Sequence, residues 1–236
     1  NPPAGDRAPG VGGGPGRLTG NRLRPQTRLV LAISLDGRLA PATGGAAQLG
    51  GPGDRRVLEE ALAWADGCLI GAQTLRLHGS TCLIRDTDLL EQRLAQGRSP
   101  QPLAIAVSRS AELPADLAFF AQPLERWVLC SGPAAGHGAA GFARRLVLTS
   151  WPETLTMLAE LGLQRLVVLG GAQLAASLLA DDCIDALQLT LCPQLLGGPH
   201  CWLPSTSVLA SGWRLEQSRP LGGDELLLRY VRTRAA

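Results

Sequence analysis

Leu166-Val167-Val168-Leu169-Gly170-Gly171-Ala172-Gln173-Leu174-Ala175-Ala176-Ser177-Leu178-Leu179 decides the fold of this chain. It begins as an unbroken apolar run, β-branched in its middle and too short to span a bilayer. Such a run reads as a strand buried on both faces, as in a parallel sheet. Two glycines follow. Leu174, Leu178 and Leu179 then recur at helical spacing on one face. The segment therefore reads strand, tight Gly-Gly turn, helix. Glycines let backbone approach a ligand closely, and the first N–H groups of the helix lack partners at its positive end, so a cofactor phosphate fits there. An ordinary, tightly packed β-to-α turn fits the same residues.

Working outward, strands alternate with helices. Thr27 to Ile33 is the first strand, closed by Ser34-Leu35-Asp36-Gly37, with a polar, Gly-rich loop to Gly51. Pro52 opens a helix with Asp54 in its first turn, where negative charge suits the dipole. Its apolar face is Val57, Leu58, Ala61, Leu62 and Ala65. Gly67–Gly71 is the second strand, and a short helix or turn covers Ala72 to Leu77. Asp88–Gln96 is helical. Leu103–Val107, Arg126–Cys130 and Arg145–Leu148 are strands, with a Gly- and Ala-rich surface loop over 132–141. A helix runs from Trp151 to Leu161, with Ser150 as its N-cap. Ile184–Leu191 alternates apolar and polar residues as a strand. Trp213–Ser218 and Glu225–Val231, separated by Gly222-Gly223-Asp224, form a hairpin.

This order argues an α/β fold: three layers around a mostly parallel sheet, with antiparallel strands at the C-terminal end. Ligands in such sheets lie outside the carboxyl ends of the strands. Ser34, Asp36, Thr74, His78, Ser131, Thr149 and the Gly170-Gly171 pair stand there.

The chain's 236 residues suit one domain, here 25–233, preceded by a disordered Gly/Pro-rich tail at 1–24 that carries no apolar signal core. There is no Lys, so Arg supplies all 22 positive side chains, scattered along the chain, and the net charge is only +2. Nucleic-acid and membrane-surface roles have no basis in this pattern. No two of the six cysteines have CxxC spacing and there are three histidines, which argues against a metal site. Cys68 and Cys130 sit in apolar runs, as reduced thiols of a cytoplasmic protein do.

Four motifs, in order, carry a family likeness. Leu31-Ala32-Ile33-Ser34-Leu35-Asp36-Gly37-Arg38-Leu39-Ala40 closely resembles the first strand and loop of the riboflavin-biosynthesis pyrimidine reductases. Gly71-Ala72-Gln73-Thr74-Leu75-Arg76 is similar to their turn after the second strand. Val168 to Leu174 is similar to their cofactor turn, and Leu191-Cys192-Pro193-Gln194-Leu195-Leu196-Gly197-Gly198 to a proline-to-glycine segment after an antiparallel strand. The likeness covers about 25–232 and only the reductase half of the bifunctional deaminase–reductase; the deaminase zinc motif is not present. It implies the dihydrofolate-reductase-like fold, a homodimer in many members, and NADPH as cofactor. It also implies hydride delivery to the ribosyl carbon of 5-amino-6-(5-phosphoribosylamino)uracil.

By the same resemblance, Ala32, Thr74, His78, Ser131, Gly170, Gly171, Ala172 and Gln173 meet cofactor, and Arg85 meets the substrate, in keeping with its bidentate fork. Asp36 orients substrate or relays a proton, or is a turn residue bonding its own backbone. His78 meets a phosphate, acts as an acid, or is an ordinary loop histidine. Thr74 bonds cofactor or caps the helix that follows. Arg85 binds phosphate or pairs with Asp86 or Asp88. Arg144 and Arg145 are candidates for a cofactor 2′-phosphate.

Some positions depart from the family. Ala46 and Gln48 stand for a serine and a tryptophan, and Val30 for a lysine. Leu62 replaces a substrate arginine and Leu169 a substrate glutamate. These departures bear on substrate rather than fold. Two other readings are therefore carried: a pterin or dihydrofolate reductase, needing an acid in the first long helix (Asp54, Glu59 or Glu60), and an NADPH-binding module without turnover.

Overall fold

A computed structural model describes residues 23–132, 140–204 and 212–234. The predicted tail lies almost wholly outside the described residues, as does most of the 132–141 loop.

Among the described residues, nine strands form one sheet: β1 (Gln26–Ser34), β2 (Gly67–Gly71), β3 (Leu103–Ser108), β4 (Arg126–Cys130), β5 (Arg144–Val147), β6 (Arg165–Val168), β7 (Ala186–Cys192), β8 (Trp213–Gly222) and β9 (Glu225–Arg232). Five helices connect them: α1 (Pro52–Trp64), α2 (Ala72–His78), α3 (Thr87–Ala95), α4 (Trp151–Glu160) and α5 (Ala172–Ala180). The spatial order is β5-β4-β3-β2-β6-β1-β7-β9-β8. Pairing is parallel from β5 through β7.

Antiparallel pairing begins only at β9, which lies between β7 and β8. The strand at Ala186–Cys192 is thus parallel to β1 on one side and antiparallel to β9 on the other, so the antiparallel character that the proline-to-glycine likeness implied holds on its β9 side. The helical crossover through α5 returns the chain in the same direction. The two-residue hairpin at Gly223-Asp224 cannot.

Alternation along the strands separates the two layers. Leu29, Leu31 and Ile33 of β1, with Leu69, Ile105, Leu129, Leu166 and Val168, pack toward Leu155 and Leu158 of α4 and Leu174 and Leu178 of α5. Val30, Cys68, Ile70, Ala104, Ala106, Val128 and Val167 face Ala61 and Leu62 of α1, Leu75 of α2 and Leu89 of α3. Leu29, Leu69 and Leu166 are fully buried, each stabilising the fold by about 1.5–3 kcal/mol.

The predicted α1 face holds, and Ala63 is buried beside it. Glu59 is buried as well. Its carboxylate accepts the backbone N–H groups of Arg85 (2.7 Å) and Asp86 (2.9 Å) and Arg55 Nε (2.6 Å). It thereby pins the 81–86 segment to α1.

Candidate active site

The carboxyl ends of β1, β2, β3, β4 and β6 open on one side of the sheet. Two cavities meet there. The first, about 810 Å³, is lined by the start of α2, by Ser108-Arg109-Ser110 and Ser131, and by Gly171 to Leu174. The second, about 450 Å³, lies against Val30-Leu31-Ala32 and Leu169-Gly170-Gly171, with Asp54, Leu58, Leu77, His78 and Cys82 around it. Gln73, Thr74, Gly171, Ala172 and His200 line both.

The junction is built from the two glycine turns. Gly71 N–H donates to the Gly170 carbonyl at 3.3 Å. Gly171 N–H donates to Thr74 Oγ1 at 3.2 Å. Gly170 has φ +94°, a region costly for any residue with a Cβ, and a Cβ there would meet a Leu31 methyl at 3.0 Å. A Cβ on Gly171 would stand 3.1 Å from Thr74 Oγ1. No side chain caps the N-terminus of α5. Ala172, Gln173 and Leu174, whose N–H groups have no acceptor within the helix, line the first cavity. A diphosphate fits this floor: it needs close backbone approach and unpaired N–H donors at a positive helix end.

The structure gathers all eight residues predicted to meet cofactor around the two cavities. Thr74, Gly171 and Ala172 stand at the junction, Ser131 and Gln173 in the first cavity, and Ala32, His78 and Gly170 in the second. Asp36 is elsewhere. Its Oδ1 accepts the Ser34 hydroxyl (2.5 Å) and Leu196 N–H (3.1 Å), and its Oδ2 accepts Gly197 N–H (2.8 Å). It lines neither cavity. The Ser34 hydroxyl, then the two N–H donors, hold its carboxyl down to about 2. Its bonds are those of a loop clamp, a role not among those expected for it, and join 34–38 to 194–197.

Arg85 is exposed and lines neither cavity. The competing ion pair with Asp86 is not formed: Asp86 accepts from Leu89 N–H at the start of α3 and pairs with Arg56. Arg144 stacks on Trp127 at 4.9 Å and Arg145 Nε donates to Cys130 Sγ at 3.1 Å. Neither lines the first cavity; Arg76 and Arg109 do. Leu62 is buried in the core, whereas Leu169 does line the second cavity.

Among the lining residues that sequence reasoning missed are Arg76, Arg109, His200 and Cys201. Arg109 follows a strand end, a usable signal. His200 and Cys201 reach the site through a β-bridge between Arg38 and Cys201, which spacing does not reveal. Asp54 was noticed only as a complement to the helix dipole or one of three acids. It alone among the described lining residues brings a carboxyl group to the second cavity. Burial pushes that carboxyl up, reinforced by the charge of Glu225 and opposed by a hydrogen bond from Thr190 and by Arg55.

The sequence model described as the RibD C-terminal domain matches residues 25–227. The chain belongs to that family. Among curated relatives, the riboflavin biosynthesis protein RibD of Haemophilus influenzae is 25% identical over 218 residues, covering 88% of this chain and 58% of the relative. The chain thus spans less than two thirds of that protein. A 2,5-diamino-6-ribosylamino-4(3H)-pyrimidinone 5′-phosphate reductase of Methanothermobacter thermautotrophicus is 24% identical over 221 residues, covering 89% of this chain and 99% of the relative.

Solved structures agree on the fold. A pyrimidine reductase-like protein of Corynebacterium diphtheriae has a TM-score of 0.74 at 20% identity, covering 89% of this chain and 93% of that one. Dihydrofolate reductase of Enterococcus faecalis, solved with NADP(H), has a TM-score of 0.50 at 16% identity, covering 89% and 97%. The RibD C-terminal domain of this chain therefore has the dihydrofolate-reductase-like fold expected from its motifs.

Among the described residues no group of three or more His, Cys, Asp or Glu could hold a metal ion, and no helix is long and apolar enough to cross a membrane.

Proposed function

We propose that the protein is an NADPH-dependent reductase of riboflavin biosynthesis. It acts on the ribosyl group of a phosphorylated 6-ribosylaminopyrimidine, either the uracil compound named above or the 2-amino counterpart named for archaeal relatives. The observation that carries this reading is the junction of the two glycine turns. The uncapped α5 N-terminus, whose N–H groups would fit a diphosphate, supports a cofactor lying along the first cavity with its reactive end at Thr74, Gly171 and Ala172. The second cavity then holds a flat ring between Leu169, Leu58 and Val30.

When bound, NADPH supplies a hydride. The chain's own task is chiefly positioning: contact between donor and acceptor carbons is set by the two cavities sharing a wall. Arg76 and Arg109 are the proposed contacts of the 2′-phosphate, through charge-assisted bonds. Arg85 is the proposed contact of the substrate phosphate. His78 and His200 line the second cavity, and their imidazoles are the proposed proton-exchanging groups there. The reading includes a cytoplasmic enzyme and a homodimer, as in many family members.

One observation favours a second reading. Asp54 is an acid on the first long helix facing the cavity, which is what pterin reduction requires. A single assay separates the two. NADPH oxidation is followed with each phosphoribosylaminopyrimidine and with dihydrofolate. Turnover on a pyrimidine alone supports the main reading. Turnover on dihydrofolate alone replaces it. NADPH binding without turnover on any of them identifies a module without activity.

A further inference from the structure

We propose that Asp54 reads the base edge of the substrate, and that it selects a ring with an amino group at C2 over one with a carbonyl there. The proposal rests on the pyrimidine reductase reading.

The position expected to supply a substrate carboxylate is Leu169, which can accept no hydrogen bond. Asp54 brings the missing group from a different element, in the first turn of α1. It is held there sterically. Gly50, at φ +81°, lies so close that a Cβ would stand 2.2 Å from Asp54 Oδ2. The Thr190 hydroxyl bonds the carboxyl from β7, and Thr190 is paired with Ala32 of β1, itself a wall of the cavity.

A second carboxyl stands behind the first. Glu225 Oε1 accepts Gly51 N–H at 2.5 Å, while its Oε2 is buried without a partner. Only 8% of Glu225 is exposed. Asp54 is thus backed by a buried acceptor that lacks a donor, and buried acceptors without donors are costly. The 2-amino-4-oxo ring offers its amino group and the adjacent ring N–H as two coplanar donors, matching the two oxygens of a carboxylate. The 2,4-dioxo ring presents one N–H flanked by carbonyl oxygens, whose lone pairs oppose an ionised Asp54.

Protonation inverts the match. A neutral carboxyl gives and takes one hydrogen bond, which suits the dioxo edge. Preference for the amino ring should therefore rise as pH rises through the Asp54 titration, which burial places above the ordinary value. The charged and titratable groups around Asp54 are Glu225 on β9, Arg55 on α1, Cys192 on β7 and Cys82 beyond α2, with His78 and His200 across the cavity.

The test compares kcat/KM for 2,5-diamino-6-ribosylamino-4(3H)-pyrimidinone 5′-phosphate and its 2-oxo counterpart, with wild type, Asp54→Asn and Thr190→Val. Calorimetric Kd values for both compounds are measured without NADPH. Wild type should favour the amino ring by about tenfold or more, and Asp54→Asn, whose amide complements the dioxo edge, should shift that ratio by about tenfold or more toward the dioxo ring, mostly in KM and Kd. The pH dependence of the ratio should vanish in Asp54→Asn. It should move to higher pH in Thr190→Val, which removes the bond that draws the carboxyl down. An unchanged ratio in folded Asp54→Asn overturns the proposal while leaving the reductase reading intact. If that variant does not fold, an unmoved profile in Thr190→Val overturns it. Wild type that turns over neither compound overturns the reductase reading, and this proposal with it.

Discussion

The hydroxyl of Thr74, on α2, accepts the backbone N–H of Gly171, which opens α5, at 3.2 Å. One side chain thereby fixes the distance between two turns that are far apart in the chain. Thr74→Val keeps the shape and removes the acceptor. We expect NADPH affinity to fall about fivefold, the worth of one such bond. Gly171→Ala should do at least as much, because its Cβ would meet the same hydroxyl at 3.1 Å. Fluorescence titration with NADPH checks both. Equal affinity in all three proteins would remove the junction as the cofactor floor.

Arg109 and Arg76 are the positive side chains of the first cavity. Reversing one charge where a 2′-phosphate sits should cost NADPH about tenfold or more and leave NADH nearly unchanged. Arg109→Glu, measured with both cofactors, tests this. Arg144→Glu is the matched control, since Arg144 is committed to Trp127. A loss confined to Arg144→Glu would reverse the assignment.

Asp36 bridges two loops through backbone donors. Its folded carboxyl titrates at about 2, below its ordinary value of 3.8. A depressed carboxyl contributes stability that is fully present above the ordinary value and lost as pH falls through the folded one. The contribution should therefore fade between about pH 4 and pH 2. Asp36→Asn should lower Tm at neutral pH and expose the 194–198 segment to protease, while hydride transfer persists. If activity disappears from an enzyme that melts normally, Asp36 acts in the chemistry after all.

Glu59 holds two backbone N–H groups that would otherwise be buried without partners. Glu59→Ala should cost about 2–4 kcal/mol, by leaving those donors unpaired. Urea unfolding measures it. Burial alone would raise this carboxyl, but the N–H groups of Arg85 and Asp86 together with Arg55 outweigh it and hold it below its ordinary value. Its stabilisation is accordingly present above the ordinary carboxylate value and lost on acidification. A variant as stable as wild type would show that water satisfies the 85–86 backbone.

Much of the fold was legible because its signals are local. The alternation of β1, the apolar run of β6 and the Gly170-Gly171 turn each report burial or backbone need within a few residues. Ser150 caps α4 as expected. The place of the Gly170-Gly171 turn at the wall shared by the two cavities was legible for the same reason. Glu59 was not: on periodicity it belongs to the polar side of α1, and only the return of the 81–86 segment explains its burial. Asp54 was visible but not distinguishable from Glu59 and Glu60, since its meaning depends on Thr190 and Glu225, far away in the chain. Arg144 and Arg145 looked free after a strand, yet both are spent on neighbours in β4. Local pattern fixes which face a residue takes; it says little about partners brought by another element.

β6 occupies the slot between β2 and β1, although more than ninety residues separate it from β2 in the chain. A nascent chain that has emerged only as far as β5 has β1 and β2 but nothing to join them. Its half-sheets then expose unpaired strand edges until residues 165–168 leave the ribosome. The binding floor is assembled by that same late insertion, because Gly170 and Gly171 arrive with it. Folding of this domain should therefore wait for residues 165–168 and be slow, as non-local pairing dictates. Nucleotide added during refolding can stabilise only chains that have already closed the sheet.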